Sequence, residues 1–375
     1  MARAESITFE EFRTRFSTED ACRTDLFRLR FPNGFVCPKC GCTEYYPVRG
    51  RNTFQCRACR HQTSVTAGTV MHRTHLPLTA WFWAIYLCAT DKRGISAVQL
   101  SRTLSICYES AWYLLRRIRS AMRQRDEKYE LSDIVEMDDG YIGGATHNGK
   151  RGRGTDKAKI VLALSKTENG AALFTRMQVV EDVTGGTLQQ VVDETVAPGS
   201  KIECDGYKSY RDLSGVALDA KKYEPGDLLW LHKAISNLKA FLLGTYHGRC
   251  TQLQAYLDEF CFRFNRRKTG DQIFRRLVRA VATACAQLHE ADKHNEKFTP
   301  MMRGREQVVP IQEKFLITVP EAAKYFGIGT KQMRRLAENH LSDFAIFMGN
   351  RYLIVRPRFE EYVIDFMASG EKQFR

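Results

Sequence analysis

The sequence predicts a multidomain α/β protein, and three observations support this class. Residues 133–242 alternate between strand and helix patterns, which is the order of an α/β domain. Two closely spaced cysteine pairs precede that segment, and a polar stretch with two prolines separates it from a tail with its own apolar pattern. A chain of 375 residues is long enough for two or three domains, and 43% hydrophobic residues suffice for sizeable cores.

The charge of the chain is strongly positive, with a formal net charge of +14 at pH 7. Such an excess of Lys and Arg favours a polyanionic partner, most simply nucleic acid. An acidic membrane surface is the rival partner, but no apolar run approaches the roughly 18 residues that a membrane span needs. The first residues, MARAESITFEEF, carry acids and lack the apolar segment of a secretory signal, so we expect a reducing cytoplasm.

Residues 1–73 combine short helical patterns with two Cys-x2-Cys pairs. Cys37/Cys40 and Cys56/Cys59 are separated by fifteen residues, a spacing typical of a zinc site with four thiolates. Two disulfides or unlinked thiols are the alternative, and the lack of an export signal argues against disulfides. Cys42 is a spare thiol that we place outside the site. Four thiolates leave no open coordination position, so this Zn²⁺ is predicted to be structural.

Residues 74–130 follow a helical pattern throughout. The segment LPLTAWFWAIYLCAT is apolar on nearly all sides, which predicts a buried helix. A helix, a short turn and a second helix follow, and the second helix carries Arg116, Arg117 and Arg119. This is the pattern of a helix-turn-helix whose basic helix enters the major groove of DNA. A helical hairpin with a solvated basic face fits the sequence equally well.

Residues 131–290 form the α/β segment. Three strand patterns, an amphipathic helix, a further strand and a later helix succeed one another, with LDAKKYEPGD expected to be a loop before the last helix. This order predicts a ribonuclease-H-like fold, a mixed sheet flanked by helices. The glycine-rich loop HNGKRGRGTDK after the first strand carries Lys150, Arg151 and Arg153. It is either a solvated loop or one that contacts phosphates.

Two carboxylates stand at expected strand ends, Asp138 in VEMDDGYIGG and Asp205 in IECDGYKSY. Neighbouring strands would bring the acids close together, where their repulsion favours a divalent cation. Mg²⁺ prefers carboxylates, waters and phosphate oxygens, and a two-ion site of this kind performs in-line attack on a phosphodiester. A lone Asp-Gly is more simply a turn, so the hypothesis depends on the pair.

His232 and Lys239 lie seven residues apart on the helix that follows, which places both on nearly the same face. In the ribonuclease-H-like order a late helix supplies a third ligand, and a neutral imidazole ligates divalent ions. Lys239 would then hold a DNA phosphate as a point charge. The alternative is a polar residue at a helix start and an ordinary surface lysine.

Residues 251–290 are predicted to be one long helical stretch with an aromatic face and a basic face that includes Arg266 and Arg267. The basic face either lies along a DNA backbone or is only solvated. Residues 291–313 are polar with two prolines and a glycine, which indicates a linker.

Residues 314–375 are expected to form an independent small domain. A helix, a turn at Gly327–Gly329 and a second helix are followed by FMGNRYLIV, which has a hairpin signal, and by a last helix. Helix-turn-helix plus hairpin is the winged-helix pattern. Three cations, Lys331, Arg334 and Arg335, lie on its second helix and are candidates for DNA contact.

These motifs together resemble bacterial insertion-sequence DDE-type transposases of the zinc-ribbon, ISXO-like group, over roughly residues 15–285. The resemblance implies that Asp138, rather than its neighbour Asp139, is the first catalytic aspartate, that Asp205 is the second, and that Lys239 is the family's lysine. The motifs that carry it are FPNGFVCPKCG, FQCRACRHQTSVTAGTVMH, VEMDDGYIGG, DGYKSY, NLKAFLLGTYHG and LQAYLDEFCFRFNRR.

The third catalytic position departs from the commonest form of that group. Many relatives have Glu seven residues before the lysine, whereas some groups have Asn or His, and this chain has His232. Asn237 is nearby, but its spacing does not share a helix face with Lys239. An imidazole adds no negative charge, so we expect the second metal ion to be held less tightly.

The tail is similar to small excisionase proteins of conjugative transposons, which are winged-helix proteins that bind and bend DNA. The segments that show this resemblance are ITVPEAAKYFGIGTKQMRRLAENH and FMGNRYLIVRPRFEEYV. The junction of such a module with a transposase is either a natural fusion or the product of gene rearrangement.

The resemblance implies a DNA transposase of the bacterial cytoplasm that works at the nucleoid. It would bind terminal inverted repeats, cleave a strand at each element end, and join the freed 3′-OH to target DNA. Two Mg²⁺ or Mn²⁺ ions are expected, bridged by Asp138 and Asp205, with His232 completing one coordination sphere. Synapsis of two ends implies at least a homodimer. The alternatives are a DNA-binding regulator with an inactive core and a structure-selective nuclease of the same fold.

Overall fold

The computed structural model describes residues 7–143, 155, 157–222, 224, 226–246, 252–286, 315–341, 343–348 and 351–369. The chain divides into two units, residues 1–290 and 291–375. The predicted linker and the basic loop with Lys150, Arg151 and Arg153 lie outside the described residues. No helix in the described ranges is long and apolar enough to cross a membrane.

The first unit contains the helices and strands expected for residues 7–30, the cysteine region, the helical segment and the α/β segment. Its elements are α1 (Phe9–Arg15), α2 (Glu19–Arg30), β1 (Tyr45–Val48), β2 (Thr53–Cys56), β3 (Gln62–Thr63), α3 (Leu78–Thr90), α4 (Ala97–Leu104), α5 (Tyr108–Asp126), β4 (Ile134–Ile142), β5 (Ala158–Lys166), β6 (Ala172–Val180), α6 (Gly185–Thr195), β7 (Lys201–Asp205), β8 (Ala217–Lys221), α7 (Leu229–Tyr246), α8 (Leu253–Asn265) and α9 (Ile273–Thr283).

The described strands β4 to β8 form one mixed sheet in the order β6-β5-β4-β7-β8. β4 pairs antiparallel with β5 and parallel with β7, and β7 pairs parallel with β8. Helix α6 packs its Leu188 and Val191 against one face of this sheet. Helices α7 and α8 pack Leu231, Leu238 and Leu257 against the other. The predicted ribonuclease-H-like architecture, a mixed sheet between helices, is confirmed.

Two segments differ from the prediction. LDAKKYEPGD, expected to be a loop, contains most of β8, whose short charged sequence gives no strand alternation. This edge strand is tied to β7 by backbone pairing and by an ion pair of 2.7 Å between Lys201 and Asp219. The long helix expected over 251–290 is instead two helices, α8 and α9, with a 3₁₀ turn, Arg267–Gln272, between them.

A helical core also lies in the first unit. The apolar helix α3 is buried as predicted, with Trp81, Phe82 and Ile85 fully inaccessible. It packs with α1, α2 and α5, and Phe274 and Leu277 of α9 close the same core. Helix α9 therefore packs directly on the first helices of the unit, although these residues are distant in sequence.

The second unit is a small helical domain with a three-stranded sheet in the order β10-β11-β9. Thr318 and Glu321 form a capping box at the start of its first helix, and Gly327 ends that helix with φ +68°. Its elements are β9 (Leu316–Thr318), α10 (Val319–Phe326), α11 (Thr330–Asn339), β10 (Ala345–Met348), β11 (Arg351–Val355) and α12 (Arg356–Ser369). Two helices, a hairpin and a last helix agree with the predicted winged helix.

Candidate active site and zinc centre

Asp138 and Asp205 occupy neighbouring positions on two parallel strands. The last residue pair of the β4–β7 ladder is Met137 opposite Cys204, and each aspartate comes one residue later. Neighbouring strands lie about 4.8 Å apart, so the two backbone positions are close, as the strand order predicts. Asp138 does not end its strand, because β4 continues along β5 for four more residues, to Ile142.

The two carboxylates also share one face of the sheet. Met137 and Cys204 are buried in the core beneath α6, together with Leu188 of that helix. Since side chains alternate along a strand, Asp138 and Asp205 point to the opposite face, which α7 covers. The register of two strands therefore aims both acids at the helix that carries the third predicted ligand.

His232 of α7 faces this acidic pair. Its Nε2 lies 3.8 Å from Asp138 Oδ2, and the two side chains are 39% and 20% exposed. That distance is too long for a hydrogen bond but allows both atoms to ligate one ion, since each bond to such an ion is about 2.1 Å. The partial exposure leaves the site open to an ion and to a phosphodiester.

Backbone amides orient the two carboxylates. Asp138 Oδ1 accepts a hydrogen bond of 2.8 Å from the amide of Asp139, and Asp205 Oδ1 accepts one of 3.2 Å from the amide of Tyr207. These bonds restrict the rotation of each carboxylate and place the other oxygen of Asp138 toward His232.

A buried ion network lies next to the aspartates on the same face. Lys166 Nζ contacts Glu136 Oε1 at 3.2 Å and Glu203 Oε2 at 2.5 Å. Burial opposes the charge of Lys166, but the hydrogen bonds of the two glutamates outweigh it and raise its pKa. The other oxygen of Glu136 accepts a hydrogen bond of 3.0 Å from the amide of Leu231, in the first turn of α7.

Sequence reasoning missed this network. The signal was an acid two residues before each aspartate, Glu136 before Asp138 and Glu203 before Asp205, since positions i and i+2 of a strand share a face. A carboxylate that points inward from an apolar strand needs a cation or a hydrogen-bond donor beside it. That partner, Lys166, ends the neighbouring strand β5 and carried no sequence signal of its own.

The negative charges of the acids add to the effect of burial on the pKa values of neighbouring groups. Burial, followed by the charges of Asp205 and Asp138, raises the pKa of the Cys204 thiol to about 12. Burial and then Asp138 and Asp139 likewise raise the pKa of the Tyr210 hydroxyl well above its ordinary value.

Lys239 lies two turns after His232 on α7 and is exposed. The buried stripe of the helix, which includes Leu231, Leu238 and Leu242, faces the sheet. An exposed ammonium on the helix that covers the acids is compatible with the phosphate contact predicted for it, and this role stays a prediction.

The four predicted zinc ligands come together beside the β1–β3 sheet. Cys37, Cys40, Cys56 and Cys59 bring their Sγ atoms within 4.8 Å of one another. The distance is 3.6 Å between the Sγ atoms of Cys37 and Cys59, and 3.5 Å between those of Cys40 and Cys56. Thiolates around one tetrahedral zinc ion lie about 3.8 Å apart, so the cluster fits Zn²⁺. Cys42, kept outside the site, is absent from this cluster.

Three arginines predicted to contact DNA are buried in the fold, which corrects that prediction. Arg119 forms an ion pair of 2.8 Å with Glu259, and Arg266 forms one of 2.7 Å with Asp126. Arg116 is 7% exposed, with its guanidinium above the ring of Trp112. The ion pairs of Arg119 and Arg266 join α5 to α8 and to the residue that ends it, and a guanidinium buried to this extent is not accessible to a DNA backbone.

The other described residues that were predicted to contact DNA have more accessible side chains. Arg117 is half-buried and donates to the carbonyl of Ala286, whereas Arg267 is exposed and donates to the carbonyl of Leu173. On α11 of the second unit three predicted cations are exposed, namely Lys331, Arg334 and Arg335. DNA contact by these five residues stays a prediction.

Three family models match separate segments of the chain. The transposase zinc-ribbon domain matches residues 17–62, the ISXO2-like transposase domain matches residues 130–265, and the excisionase from transposon Tn916 matches residues 302–369. The excisionase from transposon Tn916 of Streptococcus agalactiae is 45% identical over 56 residues, which are 15% of this chain and 84% of that protein.

Solved structures with similarity to this chain include an integrase core domain and a Mos1 complex. The catalytic core domain of BIV integrase is 17% identical, with a TM-score of 0.26, over 36% of this chain and 84% of that one. The Mos1 strand transfer complex is 12% identical, with a TM-score of 0.22, over 56% of this chain and 79% of that one.

Proposed function

Because this chain carries a transposase zinc ribbon, an ISXO2-like transposase domain and a Tn916 excisionase domain in that order, we propose that it cleaves DNA at the ends of an insertion sequence and joins them to target DNA. The observation that carries this proposal is the placement of Asp138 and Asp205 at adjacent positions of parallel strands, facing His232 at 3.8 Å from Asp138.

The donor set fits Mg²⁺ or Mn²⁺. Two carboxylates and one imidazole are ligands that these ions accept, and His232 Nε2 lies 3.8 Å from Asp138 Oδ2. Asp138, Asp205 and His232 would hold these ions. Bound there, the ions supply Lewis acidity to the nucleophile and to the leaving oxygen of a phosphodiester.

The residues of the chain have distinct tasks in this proposal. The Asp139 and Tyr207 amides restrict the rotation of the two carboxylates before DNA arrives. Lys239 binds a phosphate of the DNA strand and holds the scissile bond over the acids. The imidazole of His232 contributes a neutral ligand, so the site carries less negative charge than one with a third carboxylate.

The partners are the terminal inverted repeats of the element and target DNA, and the site of action is the bacterial cytoplasm at the nucleoid. Two ends must be cut and joined together, so the active assembly is a homodimer or a larger oligomer. DNA recognition at the ends is assigned to the zinc ribbon and the helical segment, and the second unit adds a further DNA-binding module.

The test uses the full-length protein, Mg²⁺ or Mn²⁺, a labelled element end and a plasmid target. Joined products that disappear in Asp138→Asn and Asp205→Asn support the proposal. Asp193→Asn, an exposed carboxylate on α6, is the matched control and keeps parental activity. Cleavage without joining would indicate a structure-selective nuclease. Specific retention of DNA without cutting, unchanged by Asp138→Asn, would indicate a regulator with an inactive core.

A further inference from the structure

A broad basic groove lies between α1, α2, α9 and the end of α5. Its volume is about 1380 Å³, and seven arginines line it. One of them, Arg266, is already neutralised by its buried ion pair with Asp126. The other six are Arg15, Arg28, Arg125, Arg275, Arg276 and Arg279. We refer to this feature as the arginine groove.

The amphipathic sequence of α9 creates one wall of the arginine groove. Its apolar residues, among them Phe274 and Leu277, are buried in the helical core. Helical periodicity then directs the remaining positions outward, where Arg275, Arg276 and Arg279 are exposed. The same packing that closes the core therefore aligns three guanidinium groups on one outer surface.

The acids that line the arginine groove already have partners. Glu10 forms an ion pair of 2.8 Å with Arg13, and Asp25 forms one of 2.7 Å with Arg15. Glu11 accepts a hydrogen bond of 2.8 Å from the Thr8 amide in the capping box of α1. These carboxylates are therefore engaged before any ligand arrives.

Four of the arginines have exposed side chains, namely Arg28, Arg275, Arg276 and Arg279. Among the described residues no ion pair involves any of these four. Guanidinium groups bind phosphates in a bidentate manner, so the groove is built to accept a polyanion with phosphates.

We propose that the arginine groove binds the phosphate backbone of duplex DNA. Its volume exceeds the range of about 300–1000 Å³ that is usual for small-molecule sites, which favours a polymer. Base stacking of a single strand requires accessible aromatic faces, but Phe16 and Phe274, which line the groove, are each only 3% exposed. The groove thus offers charge without a stacking platform, and this matches a duplex whose bases are paired.

This inference rests on the proposed function for the identity of the polymer, but it concerns binding and not chemistry. The experiment compares full-length protein with Arg275→Gln/Arg279→Gln, using fluorescence anisotropy of a labelled duplex across a series of salt concentrations without added divalent ions. Gln has nearly the helix propensity of Arg, so α9 is expected to stay intact. The control is Lys92→Gln/Lys222→Gln, which removes the same charge at exposed positions outside the groove.

Each phosphate contact contributes about 0.9 to the slope of log K against log salt, so the arginine variant should lose about 1.8 from that slope. Its affinity should fall about tenfold or more at low salt, whereas the lysine control should keep the parental slope. Arg275→Lys/Arg279→Lys should also keep most of the slope, because the charge remains. A slope unchanged in the glutamine variant would overturn the inference.

Additional measurements with other polymers and variants distinguish the possible ligands of the arginine groove. A loss confined to single-stranded DNA, or to polyglutamate as an acidic polypeptide, would overturn the assignment to duplex DNA. Thermal melting checks the fold of the double variant, and if it melts early, Arg28→Gln on α2 should by itself lower the slope by about 0.9. A changed slope in a protein that does not join DNA refutes the proposed function alone, and an unchanged slope in a protein that does join DNA refutes the groove alone.

Discussion

Glu136 accepts a hydrogen bond of 3.0 Å from the amide of Leu231. Glu136 lies two residues before Asp138 on β4, and Leu231 lies directly before His232 on α7. One bond therefore joins the strand that carries a predicted metal ligand to the helix that carries another. Lys166 holds the second oxygen of Glu136 and so limits the freedom of this contact.

The contact predicts that Glu136 positions His232. Glu136→Ala leaves the buried Leu231 amide without its acceptor, which should cost about 1–3 kcal/mol of folding stability. It should also weaken Mn²⁺ binding about tenfold, because α7 is released from β4, and calorimetric titration measures this. Glu136→Gln retains an acceptor and should recover most of the Mn²⁺ affinity.

Glu168→Ala, an exposed turn residue, is the matched control for Glu136→Ala and should change neither stability nor Mn²⁺ affinity. If Glu136→Ala lowered stability but bound Mn²⁺ like the parent, Glu136 would support only the fold.

A negative charge at position 232 should tighten metal binding. His232→Glu places a carboxylate beside Asp138, where attraction for a dication at short range exceeds that of a neutral imidazole. We expect the Mg²⁺ concentration for half-maximal cleavage to fall about tenfold, and to rise in His232→Ala. His75→Glu, remote in the sequence, is the control. Equal Mg²⁺ requirements in the parent, His232→Glu and His232→Ala would exclude His232 from the metal site.

The four-cysteine cluster predicts one structural zinc ion per chain. Cys56→Ser removes a fully buried ligand and should abolish zinc retention and lower the melting temperature, because the small β1–β3 sheet has little core of its own. Cys42→Ser should leave both unchanged, since Cys42 is outside the cluster. Zinc analysis of the purified variants decides the matter. Loss of zinc in Cys42→Ser would move that residue into the ligand set.

Glu259 is expected to be the principal electrostatic link between α5 and α8. Its carboxylate, 1% exposed, contacts Arg119 of α5 at 2.8 Å and Arg263 of its own helix at 2.9 Å. Glu259→Gln leaves these two arginines without a counter-charge in a buried place, which should cost about 3–5 kcal/mol. Urea denaturation measures this, with the exposed Glu168→Gln as control. A loss below about 1 kcal/mol would contradict the expectation.

The ion pairs of Glu259 also predict that the protein loses folding stability at acidic pH. Burial alone would raise the pKa of Glu259, but Arg119 and Arg263 outweigh it and hold the pKa below the ordinary value of 4.5. A lowered pKa contributes stability that is fully present above 4.5 and is lost as the pH falls through the folded value. The parent should therefore lose stability in that acidic range more steeply than Glu259→Gln, which lacks the titrating group. Parallel pH profiles of unfolding free energy would refute this.

The second unit is expected to bind DNA through α11. Arg334→Gln/Arg335→Gln removes two exposed charges and should lower the salt slope of DNA binding by about 1.8, less if the contact of Arg334 with Glu338 already neutralises it in part. Lys324→Gln on α10 is the control, because this exposed lysine lies on the other helix of the pair. An equal effect of the control would mean that only net charge matters.

Local patterns in the sequence predicted much of the architecture correctly. The Cys-x2-Cys spacing predicted a cluster that the structure brings together, and the strand order around Asp138 and Asp205 predicted their adjacency. The knuckle residues and the apolar alternation of the strands are local signals, because the immediate neighbours of a residue set the direction of its side chain. The edge strand β8 was missed because ALDAK has no apolar alternation, and its Asp219 forms ion pairs with Lys201 and Lys221.

The sequence by itself determined the residue types, their spacing and the order of elements. These suffice to predict the adjacency of the two aspartates, the four-thiolate cluster and the winged-helix tail. Only the tertiary structure decided which charges are buried and which are exposed. Arg119 and Arg275 both lie on basic helices, yet one is enclosed by Glu259 and the other faces solvent in the arginine groove. The physical reason is that the partner of a charge, such as Glu259 for Arg119, comes from a helix 140 residues away in sequence, and no local pattern encodes that pairing.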